Sequence, residues 1–113
     1  MDKFKTKSLE YRIKEADSAL LKYKNSVPVI VDTNVENIQK LDKNKYIVPK
    51  DITLGEFIVI LRKKLVIKQY ESIFLLINNT LMSSHLNMKE IYDSKKNEDG
   101  FLYIIYRFEN TFG

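Results

Sequence analysis

Residues 53–65 read Thr53-Leu54-Gly55-Glu56-Phe57-Ile58-Val59-Ile60-Leu61-Arg62-Lys63-Lys64-Leu65. Thr53 followed three residues later by Glu56 is a capping box, in which the hydroxyl accepts from the Glu56 N–H and the carboxylate reaches back to the Thr53 N–H. Leu54, Phe57, Ile58, Leu61 and Leu65 recur at helical spacing, which predicts a helix through about Leu65 with one apolar stripe. Arg62, Lys63 and Lys64 fall in its last turn, where cations complement the helix dipole. Ile60 lies off the stripe and is expected at the surface. Such a stripe is buried by packing against an apolar sheet.

The sheet candidates flank this helix on both sides. Upstream, Val27-Pro28-Val29-Ile30-Val31 reads as a strand, with Pro28 tolerated only near its start or at an unpaired position. Lys45-Tyr46-Ile47-Val48-Pro49 reads as a second short strand, stopped by its proline. Downstream, Ile73-Phe74-Leu75-Leu76-Ile77 is apolar on both faces, which predicts a central strand, and Asn78-Asn79 is the turn that ends it. Phe101 to Tyr106 is a last strand rich in aromatic and β-branched residues, introduced by the turn residues Asp99 and Gly100. Residues 32–44 are polar and read as a loop with a helical turn near Ile38. Met88 to Asp93 reads as a short helix with Ile91 and Tyr92 facing inward. Residues 3–24 are helical, with Ser8 as a cap and Leu9, Ile13, Ala16 and Leu20 on one face. The turn before Ser8 reads as a separate helix. The fold class is therefore α+β. It is a ubiquitin-like β-grasp, a four-stranded mixed sheet on a central helix, with an N-terminal two-helix extension. The division falls between a helical arm at 1–24 and the β-grasp at 25–113.

At 113 residues the chain fits one domain able to bury about two-thirds of its unfolded surface. Cysteine is absent and His85 is the single histidine, which excludes disulfides, thiolate nucleophiles, His clusters and Ser-His-Asp triads. No cofactor, metal or enzyme activity is expected. The longest apolar runs fall far short of a membrane span, and Met1-Asp2-Lys3-Phe4-Lys5 lacks a signal peptide's apolar segment. The net charge of +4 is uneven: in residues 1–24, seven cations against four carboxylates leave +3. A basic face of this kind meets acidic protein, anionic lipid or nucleic acid, or is simply a solvated helix face. No recognised nucleic-acid motif accompanies it, so no nucleic acid is expected as a partner.

Catalytic constellations are missing. Glu98-Asp99 reads as a solvated corner and His85 as a surface residue. Leu54-Gly55-Glu56 lacks the glycine series and lysine of a phosphate loop. Two other features carry more. The strand at 45–49, if it is a sheet edge, can accept an extended peptide by strand addition, with Lys43 and Lys45 attracting acids. The bland alternative is an ordinary edge guarded by lysines. The second feature is the ending. After Tyr106, the residues Arg107, Glu109, Asn110 and Thr111 read as a polar leash that stops at Gly113. A glycine carboxylate is unhindered, threads narrow channels, and can be activated and passed to a thiol and then an amine.

The blocks Leu41-Asp42-Lys43-Asn44-Lys45-Tyr46-Ile47-Val48-Pro49, Thr53-Leu54-Gly55-Glu56-Phe57, Leu61-Arg62-Lys63-Lys64, Phe74-Leu75-Leu76-Ile77-Asn78-Asn79 and Glu98-Asp99-Gly100-Phe101-Leu102-Tyr103 occur in one order. With Val27-Pro28-Val29-Ile30-Val31 and the ending Glu109-Asn110-Thr111-Phe112-Gly113, the chain resembles the autophagy-related protein 8 family over about residues 8–113. That family includes the GABA-receptor-associated protein and microtubule-associated protein light chain 3. The resemblance implies conjugation through Gly113 to phosphatidylethanolamine by activating and conjugating enzymes, and removal by a deconjugating cysteine protease. It implies a cytoplasmic protein, a monomer, that moves to an autophagosomal or related organelle membrane when lipidated. It also implies docking of receptors bearing aromatic-x-x-aliphatic motifs. The first pocket maps to Glu15, Ala19, Pro28, Ile30, Lys45, Ile47 and Phe101. The second maps to Tyr46, Val48, Pro49, Ile52, Phe57 and Ile60, and Lys43 and Lys45 meet the motif's acids.

Departures from the family pattern are Ala19 for a larger aliphatic, Lys24 for proline, Ser26 for arginine and Met82-Ser83 for Pro-Pro. An ending at Gly113 fits either a processed form or a glycine encoded already exposed. Two other readings stand beside this one. One is a non-covalent β-grasp adaptor for peptides or cytoskeleton, and the other is a basic adaptor working through residues 1–24.

Overall fold

The computed structural model describes residues 3–33, 41, 43–65 and 71–110. A 3-10 turn, Lys3–Thr6, leads into α1, Leu9–Lys22, whose N-cap is Ser8: its Oγ accepts from the Tyr11 N–H at 3.1 Å. Next come β1, Ser26–Asp32, and β2, Lys45–Pro49. The capped helix is α2, Leu54–Lys64, with both halves of its Thr53/Glu56 box formed. Then follow β3, Glu71–Ile77, the two-residue β4, Thr80–Leu81, α3, Met88–Lys95, and β5, Leu102–Asn110. Asn87 and Glu90 give α3 a second capping box. The helical turn expected near Ile38 lies outside the described residues.

The sheet order is β2-β1-β5-β3-β4. β1 and β5 run parallel and the other pairs are antiparallel, so the sheet is mixed. The α+β, ubiquitin-like expectation holds, with one strand more than the four counted. Asn78 and Asn79 both take positive φ, at 52° and 62°. Asparagine tolerates that region, and consecutive residues there close a tight hairpin. The turn therefore folds back into β4 rather than merely ending β3.

Alternation along the strands sends Val27, Val29 and Val31 of β1, Ile73, Leu75 and Ile77 of β3, and Leu102, Ile104 and Tyr106 of β5 into one core. Leu54, Phe57, Leu61 and Leu65 from the α2 stripe and Met88, Ile91 and Tyr92 from α3 fill it from the helix side. The opposite face of β1 and β5 carries a separate small cluster, Ala16, Ile30 and Phe101, beneath α1. Along α1 only Ala16 is fully buried; Ile13 and Leu20 are half-buried and Leu9 is exposed.

Two strand expectations are corrected. β3 is an interior strand, between β5 and the two-residue β4, but the middle position of the sheet belongs to β5. Its burial alternates, leaving Phe74 and Leu76 half-buried on the face away from the core. The polar leash is also mostly strand: β5 runs on to Asn110, which pairs with Glu71. Arg107 and Glu109 are exposed while Phe108 packs on the core, so the polar residues are the outer half of a period-two alternation.

Candidate functional site

β2 is the terminal strand of the sheet, so its outer edge has no partner strand among the described residues. Such an edge exposes backbone donors and acceptors that an extended peptide can pair with. Register places Ile47 opposite Pro28 and Val48 opposite Val27. Successive β2 side chains therefore point to the two faces of the sheet, Lys45 and Ile47 to the face that α1 covers, Tyr46 and Val48 to the face that α2 covers.

On the α1 side, Glu15 and Lys45 form the rim. Lys45 Nζ donates to Glu15 Oε1 at 2.8 Å, and the Tyr11 hydroxyl donates to the same oxygen at 3.4 Å. The Lys45 hydrogen bond, ahead of the opposing effect of burial, holds the Glu15 carboxyl below the usual carboxylate range. Ile30 and Phe101 are buried as the floor, and Pro28 is buried beside them. Ala19 and Ile47 are half-buried. The structure adds Phe4, which packs on the floor cluster together with Tyr103. The Phe4 ring meets Phe101 edge-on at 4.9 Å, and Lys45 Nζ lies 5.5 Å from the Phe4 centroid.

On the α2 side, Val48 and Phe57 are buried in the main core, and Tyr46 and Ile52 pack half-buried against it. The Tyr46 ring stands edge-on to Phe57 at 6.2 Å. Lys43 and Lys64 each place Nζ 5.8 Å from the Tyr46 centroid, so this ring is flanked by two cations. Ile60, one turn along α2 from Phe57, is exposed; Pro49, also exposed, falls by alternation on the α1 face with Lys45 and Ile47 rather than with Tyr46 and Val48. Lys43 is exposed too. Gly113 lies outside the described residues. Among the described residues no group of His, Cys, Asp and Glu could hold a metal, and no helix is long and apolar enough to cross a membrane.

Sequence reading missed what fastens α1 to the sheet. Asp99 was expected in a solvated corner, and only Glu98 is; Asp99 is 1% exposed. Its Oδ1 accepts from the Phe101 N–H at 2.9 Å, and its Oδ2 accepts from Arg12 Nη1 at 2.8 Å and from the Tyr103 hydroxyl. Burial first, and then the bond to Asp99, push the Tyr103 phenol well above its usual range. Gly100 is fixed by two demands at once. Its φ is +89°, and a Cβ there would stand 2.9 Å from Ala16 Cβ. An aspartate before a glycine and a strand signals a side-chain-capped turn, which makes the Phe101 N–H contact legible. Nothing in the sequence pairs Asp99 with Arg12, 87 positions away.

Comparison with known proteins gives a consistent result. The model of the family described as autophagy protein Atg8, ubiquitin like, matches residues 11–113. The autophagy-related protein 8B of Oryza sativa subsp. indica is 42% identical over 107 residues, covering 94% of this chain and 90% of that protein. Autophagy-related protein 8b of Arabidopsis thaliana is 42% identical over 106 residues, covering 93% and 87%. Among solved structures, Trypanosoma brucei ATG8 superposes with a TM-score of 0.90 at 34% identity, covering 100% of this chain and 99% of its own. Plasmodium falciparum Atg8 in complex with a Plasmodium falciparum Atg3 peptide gives 0.85 at 30% identity, covering 95% and 96%.

Proposed function

The chain belongs to the Atg8 family of ubiquitin-like autophagy proteins, and on that premise we propose that it is a lipid-conjugated modifier that docks receptors along β2. Gly113 is the conjugated residue. Its carboxylate attacks the α-phosphorus of ATP and releases pyrophosphate, an enzyme thiol then takes the acyl group and releases AMP, and the amine of phosphatidylethanolamine displaces that thiol to form an amide. Each buried methylene contributes about 0.8 kcal/mol, so a two-chain lipid holds a soluble domain on a membrane where one short chain would not. A cysteine protease reverses the step by hydrolysing the amide. The protein then alternates between cytoplasm and an autophagosomal or related organelle membrane. That a Plasmodium falciparum relative is known in complex with an Atg3 peptide supports a conjugating enzyme of this kind as a partner here.

The observation that carries the docking half is the placement of β2. It is an outer edge with the Glu15–Lys45 rim on one side and the Lys43–Tyr46–Lys64 group on the other. An acidic aromatic-x-x-aliphatic peptide adds as a strand, its acids meet Lys43 and Lys45, and its two apolar side chains enter the two pockets. Reconstitution with activating and conjugating enzymes, ATP and phosphatidylethanolamine vesicles tests the first half. The full chain is expected to gain a lipidated form that deletion of Gly113 abolishes. Lack of lipidation of the full chain would leave the non-covalent adaptor reading. For the second half, Ile47→Asp is expected to weaken peptide binding by more than about tenfold, a change of about 1.4 kcal/mol, in calorimetry without lowering the melting temperature appreciably.

A further inference from the structure

We propose that Phe4 is an internal occupant of the first pocket, so that a docking peptide must displace the N-terminal turn before its aromatic side chain can seat. This rests on the docking reading above and concerns the regulation of that same site.

The geometry is specific. Phe4 stacks edge-on against Phe101, the floor of the pocket, at 4.9 Å. Phe101 and Ile30 are 0% and 2% exposed with the ring in place, so the floor is closed. Lys45, which is expected to meet the peptide's acids, is instead engaged inside the molecule. Its Nζ bonds to Glu15 at 2.8 Å and lies 5.5 Å from the Phe4 centroid. The turn thus uses the pocket's floor and its cation together, as an incoming aromatic would. Its sequence matches only half of a docking motif. Asp2-Lys3-Phe4 places an acid before an aromatic, but Lys7 stands three residues after Phe4 where the motif has an aliphatic. The turn accordingly offers nothing for the second pocket.

The contact is also built to yield. Phe4 is half-buried and belongs to the small cluster with Ala16, Ile30 and Phe101, separate from the main core. The turn that bears it has four residues, Lys3–Thr6. The turn pairs with no strand: lifting it breaks the Lys5 contact with the Tyr103 ring of β5, at 4.3 Å, but no ladder hydrogen bond, and Arg12–Asp99 continues to hold α1 to the sheet.

An occupied pocket lowers apparent affinity by the fraction of molecules in which it is open. An edge-to-face ring contact corresponds to a closed state favoured by on the order of two- to tenfold. Calorimetric titration with a synthetic peptide carrying glutamates before a Trp-Ala-Ala-Leu core measures this. Phe4→Ser is expected to bind two- to tenfold more tightly than the native chain. A second measurement keeps an aromatic ring in place: Phe4→Trp puts a single tryptophan into a chain that has none. Its emission should shift to the red when a Tyr-Ala-Ala-Leu version of the peptide binds. Binding that is unchanged or weaker in Phe4→Ser, with Trp emission unmoved, would overturn the proposal, because the ring would then be pocket wall. Absence of peptide binding to native and variant chains alike would overturn the docking reading and this proposal with it. Binding with an unmoved ring removes only the proposal.

Discussion

The two docking pockets proposed for β2 flank one five-residue strand, yet the first would rest on Ala16, Ile30 and Phe101 under α1, while the second would rest on Val48 and Phe57, which are part of the main core. Around the first cluster stand charged and aromatic groups drawn from distant parts of the chain: Phe4, Glu15, Lys45 and the Arg12–Asp99–Tyr103 network. The second is floored by the residues that hold α2 on the sheet. On the proposed docking mode, recognition at the first would change without a change in fold, whereas substitution at the floor of the second would cost stability.

The largest expected effect tests the second half. Phe57→Ala should cost about 3–5 kcal/mol, because a fully buried ring leaves a cavity in the main core. Denaturant unfolding reads this, and a loss below about 1 kcal/mol would break the distinction between the halves. Next comes Asp99→Ala, expected to cost about 3 kcal/mol. It leaves the Phe101 N–H, the Tyr103 hydroxyl and Arg12 without their shared acceptor. The same variant should lower the Tyr103 phenol toward its ordinary range in ultraviolet titration, though not all the way, since burial is the larger cause of its rise. The sign for the native protein follows. A phenol raised in the folded state contributes stability that is complete below its ordinary value near 10, and that is lost as pH climbs beyond it. Alkaline unfolding of the native chain should be steeper than that of Tyr103→Phe.

The smallest effect sharpens the comparison at the rim. Glu15→Gln should change stability by less than about 1 kcal/mol, because its ion pair with Lys45 is well exposed to solvent, at 34% and 41%. Glu15 is depressed in the folded state, so its contribution is present above the ordinary glutamate value and fades as pH falls through the lower folded value. A native chain and a Glu15→Gln variant whose melting temperatures converge only at acidic pH would agree with that. A constant gap across pH would mean that the rim's contribution comes from packing rather than charge.

Much of the fold was legible because its signals are local. The Thr53–Glu56 box, the α2 stripe and the Ser8 cap depend on residues within a turn or two of one another. Where reading stopped short, the cause was a periodicity judged by polarity alone. Arg107 and Glu109 looked like the end of a strand and are its wet side, while Phe74 and Leu76 looked doubly buried and face away from the core. The family blocks name residues on both sides of β2, but not which of them are buried or paired. Phe4 drew no reading of its own, and Asp99 looked like half of an exposed acidic pair.

The sequence alone determined the helices, their caps and apolar stripes, four of the five strands and the family to which the chain belongs, because each rests on residue patterns within short stretches. Only the tertiary structure decided that β2 is an edge, that β5 is the middle strand with β1 and β3 on either side, and that Arg12, Tyr103 and Phe4 gather around Asp99 and Phe101. Those outcomes depend on strand pairing and on burial of a carboxylate beside a guanidinium 87 positions away, and no local periodicity encodes either.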